Sequence, residues 1–456
     1  MNDALFNDLT TILGDDSVST RSSDREAASR DESDLPAHLP DVVVWCDTTE
    51  TIRDVVLACR THNTPLTVRA AGSSLEGNPI PTRGGVVMDI TRMTKVLEVR
   101  PEDLVARVQP GIVYDHLNDK LRAHGLFFAP SPGGSGDVAT VGGMVANNAS
   151  GIYALKYGAT ERHILGLKVV TGAGEIIDTG HACPKTSSGY DLTALMCGSE
   201  GTLGIITEVV LSLTGRPAHT RKLAMTFESE TACATAIATM IGYGVDLAAC
   251  EYLDRCSIRA LNEFKDYGLP EQATLLMEVH AGSDASLDDI VEIVQSVCVD
   301  EGGATLDLPE DPWVVRHWAT RAVRAVRRDT QTIRCDVAFP ISALPQVVDH
   351  AHRLGERDSL SLYAFGHVGL GILHVLIQED PQDEAAWQRA HDAKDELVAA
   401  VIDGGGTCSG EHGIGLGNRR YMTHEHGPAL AVMQRIKHAL DPDGILNPGK
   451  IFPDTD

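Results

Sequence analysis

Three stretches of this chain concentrate glycine with small polar residues, and they constrain the fold more than any other feature: RAAGSSLEGNPIP at 69–81, PSPGGSGDVATVGGMVANNASG at 130–151 and GSEGTLGIIT at 198–207. Glycine inside a regular element costs roughly 0.5–1 kcal/mol relative to alanine, so this much of it calls for severe turns or a closely packed ligand. In the first stretch, directly after the strand-like run PLTVRA, residues Gly72, Ser73, Ser74, Gly77 and Asn78 can turn consecutive N–H groups toward one anion, as a diphosphate requires; a plain turn is the competing reading. In the second, Gly142 and Gly143 permit close backbone approach, with Thr140, Asn147 and Ser150 offering donors beside them. None of the three is a G-x-G-x-x-G between a strand and a helix, so the nicotinamide-type Rossmann fingerprint is absent and a different dinucleotide fold is required.

At 456 residues the chain is long enough for two or more packed units with a ligand between them. The pattern of 3–13 is helical, with Leu5, Phe6, Leu9, Ile12 and Leu13 on one side, and the polar run to about Ser33 reads as an exposed connector. From His38 short β-rich runs (42–45, 65–70, 85–90, 104–110) alternate with helical stretches at 50–62 and 113–124, and two strands flank the turn Gly172-Ala173-Gly174. Arg216-Pro217 reads as a boundary, followed by long helices such as 231–243 and 287–299 among further strands. The expected organisation is an α+β chain: an N-terminal helix and connector (1–37), a dinucleotide-binding domain (38–217), a second α/β domain (218–410) and a C-terminal segment (411–456).

Acidic residues outnumber basic ones by 64 to 38, a net charge of −26. Such a surface repels phosphate backbones and anionic lipid, which argues against nucleic acid and electrostatic membrane docking, and any acidic substrate needs local positive charge. Few lysines beside arginines, and 5% aromatics, suit a high-salt cytoplasm and an acidic proteome. The ten cysteines include no C-x-x-C pair, so neither zinc ribbon nor iron–sulfur cluster is indicated, and reduced, mostly buried thiols are expected. With no signal-peptide pattern and no run of roughly 20 apolar residues, the expectation is a cytoplasmic protein without a transmembrane segment, peripheral membrane attachment being left open.

The phrases GSSLEGN, GLFFAPSP, VGGMVANNASG, KTSSGYDLTALMCGSEGTLGIIT, EYLD, DVAFPISALPQVV, GTCSGEHGIGLG and LDPDGILNPGKIF, in that order over 38–453, resemble the vanillyl-alcohol oxidase and para-cresol methylhydroxylase superfamily. The nearest branch contains D-lactate dehydrogenase, the glycolate oxidase flavin subunit and D-2-hydroxyglutarate dehydrogenase. The likeness implies a para-cresol-methylhydroxylase-type FAD-binding domain plus a substrate (cap) domain of the FAD-linked oxidase C-terminal type. By it, the 69–81 loop, Ala71 included, holds the FAD diphosphate. Likewise the segments with Ser131, Thr140, Gly142, Gly143, Asn147, Ser150 and Gly151, and with Glu200, Gly204 and Ile206, line the adenosine and isoalloxazine regions, while Asn447 returns near the ring. Covalently flavinylated relatives use a His or Cys; none stands in 69–81, so non-covalent FAD is expected.

Two histidines and a glutamate invite a metal reading: His367 and His374 in FGHVGLGILHVLI, and Glu411 in SGEHGIG. Gly366, Gly369 and Gly371 exclude a stable helix, so 362–378 reads as two strands around a turn that brings the imidazoles together. Two nitrogens and a carboxylate suit zinc, manganese or a similar divalent ion with open positions, although histidines at this spacing are more often structural. The resemblance places the branch's metal ligands, from its GHxGDGNxH and GEHG motifs, on His367, His374 and Glu411, and its proposed general base on His412. Leu370 and Ile372 stand where the family has Asp and Asn, which removes a supporting carboxylate and a substrate-contacting amide. In the Arg-rich segment 313–334, Arg321 in a W-x-x-R pattern matches the family's substrate-carboxylate arginine, and Arg334 falls where relatives carry a carboxylate-binding lysine; solvated arginines are the competing reading.

The expected function is FAD-dependent oxidation of a D-2-hydroxy acid, D-lactate first, with glycolate and D-2-hydroxyglutarate as alternatives. A non-redox transferase of the same superfamily and a non-catalytic FAD subunit are the competing classes. The electron acceptor, whether quinone, cytochrome or electron-transfer flavoprotein, is left undetermined, as is a homodimer.

Overall fold

The computed structural model describes residues 3–327 and 329–454. They divide into two units. The first comprises the chain up to Ser150, then Gly158–Arg216 and the segment from Glu411 onward; the second comprises Gly151–Tyr157 and Pro217–Gly410.

The first unit is built on two sheets. Val42–Trp45, Val86–Asp89 and Leu66–Arg69 run parallel, because each β-rich run is followed by a connection long enough to cross over, and Val18–Ser19 adds an antiparallel edge. A five-stranded antiparallel sheet orders Val96–Arg100, Val105–Val108, Gly204–Ser212, Ile164–Thr171 and Ile176–Gly180. The helix Thr49–Thr61 starts at a reciprocal Thr48/Thr51 cap and buries Ile52, Val55, Val56 and Cys59, one apolar stripe at helical spacing. That stripe shares a core with Leu5 and Leu9 of the helix Asp3–Leu13.

The polar run expected as an exposed connector is instead part of this unit. Val18 and Ser19 pair with Val44 and Val43, Ser22–Ala27 forms a helix, and Asp31 is buried. Charge and polarity alone mislead here, since a carboxylate with enough N–H and O–H donors is stable when buried.

The second unit is one seven-stranded antiparallel sheet in the order Ala304–Thr305, His219–Phe227, Ala273–Ala281, Leu247–Leu253, Ser361–Gly366, Ile372–Glu379, Gln331–Ala338. The 362–378 segment forms the expected pair of strands, turning through Val368–Leu370 with Gly371 at a φ of 73°. One sheet face packs on the helices Arg255–Lys265 and Pro312–Val326 in a core that includes Leu253, Leu276, Trp313, Ala319, Phe365 and Leu376. Among the described residues, no helix is long and apolar enough to cross a membrane.

Candidate active site

In the first unit lies a cleft of about 250 Å³ that opens to solvent. Its walls come from 68–79, 132–149 and 200–206, with Glu411, His412 and Asn447. That is close to the lower end of the roughly 300–1,000 Å³ of ordinary ligand pockets, and the cleft continues into open solvent.

The strand Leu66–Arg69 ends at this cleft, and the loop after it is held by a side chain. Asp31 Oδ2 accepts from Ser74 Oγ and from Gly77 N, both at 2.8 Å. Among the described residues, the N–H groups of Ala71, Gly72, Ser73, Ser74 and Leu75 have no protein acceptor, and a run of such amides lining a cleft is an anion nest. Gly72 has a φ of 71°, a left-handed backbone that favours glycine, and the Arg69 guanidinium lies over it where a Cβ would stand.

Glu200 ties three loops together: its carboxylate accepts from Asn78 Nδ2 at 2.6 Å, Ile414 N at 2.6 Å and Gly415 N at 2.8 Å. Burial pushes this carboxyl above its ordinary pKa against the pull of those hydrogen bonds. Asn447 Nδ2 donates to Asn78 O at 3.0 Å and Glu200 O at 2.7 Å, and Leu446 pairs in parallel with Leu66. Lys450, only 2% exposed, donates to Ile80 O at 2.5 Å, and burial pulls its pKa down to about 8. Asn147 Nδ2 donates to His412 O at 3.1 Å, which fixes the backbone of that residue at the cleft wall. Asn78 Oδ1 is buried with no hydrogen-bond partner among the described residues. Unmatched amides for a diphosphate and an unmatched acceptor for a ring N–H together fit FAD.

In the second unit, strand register gathers the chemistry on one sheet face. His374 stands opposite Asp336 on one side and Phe365 on the other, Phe365 stands opposite Leu253, and strand alternation adds Glu251 and Arg334 to the same face. Glu251, fully buried, has Oε1 2.6 Å from His367 Nδ1 and accepts from Arg316 Nε through Oε2 at 2.7 Å. Burial by itself raises this carboxyl, but the charges and hydrogen bonds of His367 and Arg316 outweigh it and hold the group below its ordinary value. The Arg316 guanidinium lies 4.8 Å from the Phe365 ring centre.

His374 Nδ1 is 3.1 Å from Asp336 Oδ1, and Asp336 Oδ2 accepts from Ser409 Oγ at 3.2 Å. The two imidazoles stand edge to face with centroids 5.3 Å apart. The Glu251 carboxylate on His367 Nδ1 keeps the proton there and makes Nε2 the lone-pair nitrogen, which is the tautomer a divalent metal requires. Glu251 and Asp336, on other strands, stand 2.6 Å and 3.1 Å from the Nδ1 atoms of His367 and His374.

Of the expected flavin residues, Ala71, Gly72, Ser73, Ser74, Asn78, Thr140, Gly142, Gly143, Asn147, Glu200, Gly204, Ile206 and Asn447 line the cleft. Four do not. The Gly77 N–H is engaged by Asp31, Ser131 lies outside the lining, Ser150 is buried, and Gly151 belongs to the second unit. Gly142 and Gly204 are glycines for chain packing, since a Cβ would lie 2.5 Å from Pro110 Cβ and 2.4 Å from Val169 Cγ1 respectively. Sequence reasoning passed over Arg69 and Ala146, whose only signal was their position inside the same stretches.

The structure places Arg321, the arginine expected at the substrate carboxylate, away from the buried face of its helix. That side chain is exposed and stacks on Trp318 at 5.2 Å, because five residues along a helix rotate it by about 140° from the buried face that carries Arg316. The segment Trp313–Arg316 is a second W-x-x-R, the one signal that pointed to the buried arginine. Arg334 is buried on the face of His374.

Residues 216–451 match the family described as FAD linked oxidases, C-terminal domain, and residues 40–180 match the FAD binding domain family. The chain is 36% identical over 452 residues to the probable mitochondrial D-lactate dehydrogenase of Danio rerio, covering 97% of this chain and 90% of that protein. It is 31% identical over 451 residues to glycolate oxidase subunit GlcD of Bacillus subtilis (strain 168), covering 97% and 96%. The solved structure of p-cresol methylhydroxylase with substrate bound superposes with a TM-score of 0.81 at 19% identity over 99% of this chain and 97% of that one, a likeness of fold.

Proposed function

The chain belongs to the family of FAD-linked oxidases, with a para-cresol-methylhydroxylase-type FAD-binding domain and the family's C-terminal domain, and from that premise we propose that it oxidises a small D-2-hydroxy acid, D-lactate by preference, to the 2-oxo acid. The observation that carries this reading is the sheet face on which Glu251 joins a buried arginine, Arg316, to His367, with His374 beside Asp336 on the same face. Relatives named D-lactate dehydrogenase and glycolate oxidase support a small hydroxy acid as substrate.

FAD, held without a covalent bond, supplies a hydride acceptor for C2 of the substrate. The amides of Ala71 to Leu75 take its diphosphate. Arg316 and Arg334 bind the substrate carboxylate, offset the repulsion of a chain with net charge −26, and orient C2. His412 accepts the hydroxyl proton on its imidazole. Residues His367, His374 and Glu411 would hold a divalent ion, zinc or manganese, whose chemistry is Lewis-acid polarisation of that hydroxyl. The electrons leave to a separate acceptor.

The test is spectroscopic. Anaerobic D-lactate bleaches the flavin band of the purified protein and L-lactate leaves it intact; a flavin that no 2-hydroxy acid reduces ends the proposal.

A further inference from the structure

Two buried carboxylates lie under the helix Pro312–Val326, one turn apart. Glu278 takes the indole N–H of Trp313, the Tyr153 hydroxyl at 3.2 Å and His280 Nε2 at 2.7 Å, and His280 Nδ1 in turn meets the Tyr157 hydroxyl at 2.8 Å. Glu251 sits one strand over on the same face, since Glu278 stands opposite Ala249, and it takes Arg316 and His367. The two are alike in burial, at 3% and 0% exposed, and they anchor the same helix. What they hold differs: Glu278 holds aromatic residues and a histidine of the second unit's packing, whereas Glu251 holds one group from each half of the proposed chemistry.

A carboxylate is planar and rigid, so two partners on its two oxygens keep a set separation. Bonding through Nε also fixes the guanidinium plane of Arg316, and bonding through Nδ1 fixes the ring of His367. Glutamine in place of Glu251 keeps the volume but presents one acceptor oxygen and one N–H₂ group, so at least one buried donor faces a donor.

We propose that Glu251 is a positioning residue that ties the substrate-carboxylate arginine Arg316 to the metal-ligand histidine His367, so that the acid substrate and the divalent ion are bound as a coupled pair. This rests on the reading given under Proposed function and adds to it the residue that coordinates its two parts. Asp336, which stands beside His374 and takes the Ser409 hydroxyl, serves only the metal half. Glu278 serves neither.

The experiment uses the full FAD-loaded chain and its Glu251→Gln, Asp336→Asn and Glu278→Gln variants. Two quantities are read: zinc retained against a chelator, and the D-lactate concentration that half-saturates anaerobic flavin bleaching. Glu251→Gln is expected to weaken both by about tenfold or more, the usual scale for losing a group that orients a ligand. Asp336→Asn weakens zinc retention to a similar degree with less than about a threefold change in lactate, and Glu278→Gln lowers the melting temperature while both affinities stay within about twofold. If Glu251→Gln loses its flavin, Glu251→Asp is read in the same two assays.

The inference is overturned if the Glu251 variant changes only one of the two affinities, or changes only the melting temperature as Glu278→Gln does. The underlying reading is judged on the unmutated protein and the inference on the ratio of variant to unmutated protein, so either can fail alone. An unmutated protein that neither retains zinc nor is bleached overturns both.

Discussion

The first unit meets its ligand mainly with main chain, the second with buried charged side chains. In the cleft, the residues from Ala71 to Leu75 contribute amides, and the side chains that matter there, Asp31 and Glu200, act by holding loops. On the sheet face, Glu251, Arg316, Asp336 and the two histidines are the groups proposed to work, all of them buried. An amide nest tolerates changes of side chain but not an added Cβ at a packed glycine. A network of buried ions tolerates neither loss of a charge nor loss of its partner.

That contrast can be broken experimentally. The largest effect is expected at Arg316: replacing it by alanine removes the carboxylate grip and leaves the buried Glu251 carboxylate without its guanidinium, so kcat/KM for D-lactate falls about a thousandfold, or about 4 kcal/mol. A loss smaller than about tenfold would mean that the sheet face is structural.

Lys450 gives the next effect and tests the first unit. Its pKa is lowered to about 8, so between roughly pH 8 and 10.5 the unfolded chain binds more protons than the folded one and folding stability rises with pH. The contribution is absent below about pH 8 and reaches at most about 3 kcal/mol above pH 10.5. Denaturant titrations from pH 7 to 11 on the protein and on Lys450→Met should differ by this slope; parallel curves would show that the amine is charged in the fold throughout.

Gly142→Ala sharpens the comparison from the backbone side. Its Cβ would press on Pro110 Cβ and O, and the expected cost is about 1–3 kcal/mol with a correspondingly lower melting temperature. The neighbouring loop variant Ser73→Ala should change FAD affinity by less than about threefold, because the amide and not the hydroxyl faces the diphosphate. An affinity loss larger at Ser73 than at Gly142 would reverse the assignment of main chain and side chain.

The smallest effect is expected at Arg321, exposed over Trp318, where alanine should move the half-saturating lactate concentration by less than about twofold. A larger change would restore the arginine that sequence pattern favoured and displace Arg316.

Much of this was legible before any coordinates. Four β-rich runs of the first unit, the strand pair around Gly371 and the long helices of the second unit stand where periodicity put them. The glycine-rich stretches do line one cleft, and the histidine pair does meet. Two features ran against composition: the polar segment after the first helix is structured around Asp31, and Val96–Arg100 forms a strand although it buries little. In both, partners elsewhere in the chain override the local signal.

The sequence by itself determined the family, the order of elements and which residue types carry the chemistry, because turns, strands and helices follow from local backbone preferences and the spacing of apolar residues. Only the tertiary structure decided which arginine is buried, which carboxylates steady the histidines and which glycines serve packing and not the ligand. The bonds that settle these points join residues 116 apart for Glu251 and His367, 73 apart for Asp336 and Ser409 and 46 apart for Asp31 and Gly77. Sheet register and helix rotation set such pairings, and neither is written in any short window of residues.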